Sequence, residues 1–146
     1  MTGTIVVGVD GSAASITALR WAVGRAAVEH RTVTAVEVRP QAHLVPGTSY
    51  APAPYGMTPP ERTGSRLHEA VAAVRTAVPN APKIAELQRR GEPGVELARV
   101  ARDAAMLVLG HNPHGRTTEF LFGRVTAACL RHARVPVILV PATART

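Results

Sequence analysis

The chain has 146 residues, 46% of them hydrophobic, and a formal charge of +7. That length suits one domain with one core. No apolar run approaches the ~20 residues of a membrane helix, and MTGTIVVGVDGS carries neither a basic leader nor a small-residue cleavage site, so no signal peptide is expected. A single cysteine excludes an internal disulfide and fits a reducing, cytoplasmic setting.

The first element is IVVGV, residues 5–9, apolar and β-branched on consecutive positions. Such a run predicts a strand buried on both faces, as in a parallel sheet. DGSAAS follows as a turn, with Ser12 able to cap a helix. Ile16, Leu19, Val23 and Ala26 then recur at helical spacing. TVTAVEV, residues 32–38, predicts the second strand.

Residues 39–60 break the pattern with six prolines and two glycines, and read as a long variable loop. A helix is expected over ERTGSRLHEAVAAVRTAV, where Leu67, Val71, Val74 and Val78 share a face. KIAELQRR is a polar third strand, expected near an edge. GEPGVELARVARDA predicts a helix with Pro93 in its first turn. AMLVLG (105–110), LFGRVTAACLRHA and VPVILV (135–140) complete the order as strand, helix and strand.

Strict β-α alternation implies a single α/β domain over residues 1–146: an open five-stranded parallel sheet with helices on both faces. Ligands of such sheets lie beyond the carboxyl ends of the strands, where strand order reverses. That directs attention to Asp10, to Val38 and to Gly110 with the loop after it.

Charge gathers in the last quarter, where residues 111–146 carry a net +4 and three of the six histidines. With five aromatics and no basic helix or zinc-finger spacing, nucleic acid is not the expected partner. The only lysine is Lys83, so no P-loop exists, and neither G-x-G-x-x-G nor G-x-S-x-G is present. Cys129 and His132 lie three apart on a helix but lack an orienting third group, and Cys129 reads as core. His111, His114 and His132 make a weak metal pattern, without a Cys or carboxylate cluster. No metal site and no catalytic residues are expected.

The stretch GHNPHGRTTEFLFGRVT, residues 110–126, carries more. A strand, a loop and a helix N-terminus together suit phosphate, because the first helical N–H groups are unpaired. Asp10 complements it as an acceptor for ribose or an adenine amine, although a turn-and-cap role explains it equally well.

These residues resemble the universal stress protein family, in an actinobacterial style. IVVGVDGSAASITALRWA is similar to the family's first strand and helix, RRGEPGVELARVARDAAMLVLGH to its third helix and fourth strand, and FLFGRVTAACLRHARVPVILVP to its last helix and strand. The resemblance implies a small cytoplasmic stress-response regulator, not an enzyme, that binds ATP or AMP, with or without Mg²⁺. It also implies a homodimer paired through the last strand, about Pro136 to Pro141, and a further protein partner.

The nucleotide set that the resemblance implies is Gly8, Asp10, Val38, Gly110, Gly123, Arg124, Val125 and Thr126. Nucleotide binders of the family share Gly, two residues, Gly, nine residues, then Gly and Ser or Thr. Here the register gives Gly110, Pro113, Gly123 and Arg124. Pro113 has no N–H for a phosphate and cannot adopt a left-handed turn. Arg124 replaces a small hydroxyl with a long cationic fork that can clamp a polyphosphate or fill the cleft. Gly115, with Arg116, Thr117 and Thr118, offers an alternative register. The competing expectation is a nucleotide-independent dimeric interaction protein, its site closed by Pro113 and Arg124, with Tyr50 and Tyr55 as loop anchors.

Overall fold

A computed structural model describes residues 3–40, 60–112 and 123–142. Nine elements alternate: β1 Thr4–Gly8, α1 Ala13–Glu29, β2 Thr32–Arg39, α2 Pro60–Ala77, β3 Ile84–Arg90, α3 Pro93–Val100, β4 Met106–His111, α4 Gly123–His132 and β5 Val137–Pro141. All sheet pairings are parallel, in the order β3-β2-β1-β4-β5. The expected open, five-stranded α/β sheet is thus present, with β3 at one edge and β5 at the other.

Alternation along the strands divides the core into two layers. Ile5, Val7, Val33, Ala35 and Val108 pack beneath α1 and α2, against Leu19, Val23, Val71 and Val74. Val6, Val36, Leu107 and Leu109 pack on the opposite face against Leu97, Ala101 and Cys129 of the α3–α4 layer. The central strand β1 contributes to both layers, which is why TIVVG is apolar without alternation. Edge strand β3 buries only Ile84, and its exposed polar residues are what the sequence displays.

Local chemistry fixes the helix ends. Ser12, extended at φ −75°, accepts the Ser15 N–H and caps α1. His30 closes α1 in the left-handed region, its N–H donating to the Ala26 carbonyl. Helix α3 is shorter than its apolar pattern predicts. Pro93 starts it, and after Val100 the chain turns, with the Ala104 N–H donating to Ala101 and the Ala105 N–H to Thr4 of β1.

Strand β5 ends in Pro141. The Ala142 N–H donates to the His111 carbonyl on β4. With a period of two, the nitrogen of Pro141 therefore faces the outer edge, where no β4 bond is lost. Among the described residues no helix is long and apolar enough to cross a membrane.

Candidate functional site

Strand order reverses between β1 and β4, and a crevice opens there beyond the carboxyl ends of the strands. It encloses about 320 Å³. Its walls are apolar, from Val36 and Val38 of β2, Leu97 of α3 and Leu109 of β4. Its polar groups are Asp10, Ser12 and Ser15 on one side and Thr126 on the other. The volume and the mixture match small-molecule sites, about 300–1,000 Å³ with few polar groups.

Gly8 forms the floor. A Cβ there would lie 3.0 Å from Leu97 Cδ1 and 3.1 Å from Leu109 Cδ2, so the bare backbone gives the crevice its depth. Gly110 also lines it, but another contact dictates its lack of a side chain. A Cβ on Gly110 would come within 2.4 Å of the Ala14 carbonyl carbon and oxygen. Glycine at this position lets the first turn of α1 rest on β4.

Asp10 follows β1 at the rim and is exposed. Its Oδ1 accepts the Ser12 N–H at 2.8 Å, while its own N–H donates to Ser15 Oγ at 3.2 Å. Ser15 Oγ donates in turn to the Ser12 carbonyl at 3.0 Å. Partial enclosure pushes the Asp10 pKa up, but the hydrogen bonds from Ser12, from Ser15 and from its own N–H outweigh it and hold the carboxyl below its usual range. The two readings of Asp10 are compatible: it organises the turn and still presents a carboxylate to the crevice.

Helix α4 supplies the opposite wall. It begins at Gly123, whose φ of +83° favours glycine. Thr126 is 5% exposed and lines the crevice, and among the described residues its hydroxyl has no hydrogen-bond partner. A buried hydroxyl left unpaired costs free energy, about 1–3 kcal/mol. Val125 borders the same space.

Six of the eight residues named from the sequence therefore meet around one crevice: Gly8, Asp10, Val38, Gly110, Val125 and Thr126. Gly123 sits at the helix start without lining it, and Arg124 lines a neighbouring groove instead. Arg124 thus does not fill the crevice. Pro113, Gly115, His114, Arg116, Thr117, Thr118, Tyr50 and Tyr55 lie outside the described residues. The sequence reading missed Ser15, Val36, Leu97 and Leu109. Register could have supplied Val36, which pairs with Gly8 and shares a face with Val38.

Cys129 is buried on α4, with its Sγ 3.7 Å from the Gly94 carbonyl, and burial pushes its thiol up to about 11. A thiol so placed is protonated at neutral pH and packs as a small hydrophobe. Among the described residues no group of three or more His, Cys, Asp or Glu could hold a metal ion.

The universal stress protein family model matches residues 1–141. The chain belongs to that family. Universal stress protein Rv1996 of Mycobacterium tuberculosis is 29% identical, over 94% of this chain and 47% of that protein. This chain thus spans about half the length of the curated relatives it matches. Two solved structures share the architecture. A universal stress protein crystallised in complex with cAMP is 26% identical, with a TM-score of 0.70 and 97% and 98% of the two chains covered. A family member from Burkholderia pseudomallei is 28% identical, with a TM-score of 0.68 and 95% and 96% covered.

Proposed function

We propose that this universal stress protein is a regulatory protein that binds an adenine nucleotide in the crevice between β1 and β4. The observation that carries the reading is Thr126: a nearly buried hydroxyl, unpartnered among the described residues, on the first turn of a helix that borders an open crevice. A phosphate oxygen there would accept from the hydroxyl and from the first N–H groups of α4, and would meet the positive end of the helix dipole. The base would lie between Val36, Val38, Leu97 and Leu109, and Asp10 would accept from ribose hydroxyls. The related structure in complex with cAMP supports the choice of an adenine ligand.

Regulation rather than catalysis follows from the polar groups available. Among the described residues the crevice holds one carboxylate, Asp10, and no lysine or histidine. Nothing in that set supplies both a base and a stabilising cation for phosphoryl transfer. A homodimer through the outer edge of β5 completes the proposal. Val137 and Leu139 share the outward alternation with Pro141, so they would donate across the dimer edge while Pro141 cannot. The cytoplasm remains the proposed compartment, given one buried free thiol.

Titration calorimetry of the nucleotide-stripped protein with AMP, cAMP and ATP, each with and without Mg²⁺, tests the nucleotide site. Micromolar binding of at least one, weakened in Thr126→Val, is expected. No heat and no thermal stabilisation at millimolar nucleotide would overturn it, leaving a nucleotide-independent interaction protein.

A further inference from the structure

The crevice does not end at Val125. Beyond it lies a second groove of about 580 Å³, between the start of α3 and the first two turns of α4. Pro40, Pro93 and Val125 line both spaces, so the two form one trough with those residues at its waist. The outer groove is larger than the inner one, and nothing in the mononucleotide reading uses it.

Its chemistry differs from that of a phosphate cradle. Its apolar lining comes from Pro40, Pro93, Val125 and Ala128, and the rest of its surface is polar or bare backbone at Gly91 and Gly94. The charged residues are one acid and one base, Glu92 and Arg124, both exposed. Neither forms an ion pair among the described residues, whose ion pairs are Arg25–Glu29, Arg31–Glu29, His68–Glu86 and Arg99–Glu96. Glu92 occupies the cap position of α3, yet its side chain makes no capping bond there. A polyphosphate tail, carrying several negative charges, would be repelled by Glu92 as much as it was drawn by Arg124. Apolar side chains from Pro40, Pro93, Val125 and Ala128, a carboxylate for hydroxyls or an amine, and a guanidinium able to stack on a ring or bind a phosphate suit a second nucleoside.

We infer that the trough takes a dinucleotide: two nucleosides joined through a phosphate bridge, with the first in the β1–β4 crevice and the second in the outer groove. The bridge crosses the waist at the N-terminus of α4, beside Arg124. This rests on the adenine-nucleotide reading of the inner crevice and extends it. The close approach of α3 and α4 creates the outer groove. A Cβ on Gly94 would lie 2.2 Å from that of Ala128, so only glycine permits the contact.

The test compares AMP, ATP and diadenosine polyphosphates of two, three and four phosphates, by calorimetry on the full chain. At least one diadenosine compound is expected to bind about tenfold tighter than both AMP and ATP, at one per chain. Glu92→Ala should remove much of that gain while leaving AMP affinity within about twofold, and Arg124→Ala should weaken the dinucleotide more than AMP. Both side chains are exposed, so folding is not at risk. Diadenosine compounds no tighter than ATP would overturn the inference while leaving the mononucleotide site standing. So would one ligand per two chains, which means bridging between copies, or an unchanged dinucleotide affinity in Glu92→Ala. Absence of binding by AMP, cAMP and ATP alike would mark failure of the underlying reading, and the dinucleotide site would fall with it.

Discussion

Two helices begin at the crevice, and their first turns are built differently. At the start of α1, Ser12 Oγ takes the Ser15 N–H, Asp10 Oδ1 takes the Ser12 N–H, and Ser15 Oγ is used twice, by Asp10 and by Ser12. That turn satisfies itself. At the start of α4, a glycine with no side chain precedes Arg124, and the buried Thr126 hydroxyl has no partner among the described residues. The difference teaches where an anion would be bound. A helix terminus whose donors are already engaged gives little to a ligand, whereas one whose donors are open gains from it. The α1 side is a scaffold that presents one carboxylate, and the α4 side is where the proposed nucleotide phosphate would be received.

The largest effect is expected from breaking the scaffold. Gly110→Ala forces a Cβ to within 2.4 Å of the α1 backbone at Ala14. Backbone cannot rotate aside as a side chain can, so the helix must lift. A loss of about 3 kcal/mol is expected, read as a lowered Tm and denaturant midpoint. An unchanged Tm would show that α1 has freedom to shift and that Gly110 is not a packing glycine.

The receiving end responds with the opposite sign. Thr126→Val keeps the shape and removes the unpaired hydroxyl, so the nucleotide-free protein should gain about 1 kcal/mol of stability. Nucleotide affinity should fall about tenfold or more, since a bond to a charged oxygen is lost. Stability and binding moving in opposite directions is the signature of a group held for a ligand. A loss of both would mean that Thr126 is structural.

Ser12→Ala sharpens the contrast at smaller cost. Loss of this cap should destabilise by about 1 kcal/mol, lowering Tm by about 3 °C, with nucleotide affinity little altered. A large loss of affinity without a change in Tm would move Ser12 from scaffold to ligand contact.

How much of this was legible in the sequence follows the same division. Strands β1 and β4 announced themselves because a central parallel strand is covered on both faces and so reads as unbroken apolar residues. The edge position of β3 was legible for the converse reason, with Ile84 alone buried. Helix α3 was overextended, because Val100 and Ala104 continue its apolar pattern through a turn that tertiary bonds to Thr4 enforce. The crevice was located through strand order, since β-α alternation fixes where ligand space can lie. Its walls were not fully legible: Leu97 reaches Gly8 through helix-on-sheet packing, which no spacing encodes. Arg124 was read as a clamp or a plug of the crevice, whereas it lines the neighbouring groove that Glu92 also lines, a placement no sequence spacing encodes.

The smallest expected effect belongs to Asp10 and is a matter of pH. Enclosure raises its pKa, but the hydrogen bonds from Ser12, from Ser15 and from its own N–H lower it further, leaving the folded value below that of an ordinary aspartate. A carboxyl with a depressed folded pKa adds stability that is present above the unfolded pKa and is lost as pH falls through the folded one. The contribution should therefore be complete near neutrality and fade below about pH 4. Asp10→Asn preserves an acceptor for the Ser12 N–H but removes the charge, so the turn survives and the titration does not. The variant should show a flatter decline in denaturant midpoint between neutral and acid pH than the parent, with little difference between the two at the acid end. The exposure of Asp10 keeps the effect small, because solvent screens it. A parallel decline in both proteins would mean that the turn bonds do not distinguish charged from neutral Asp10, and that the carboxylate is held at the rim by geometry alone.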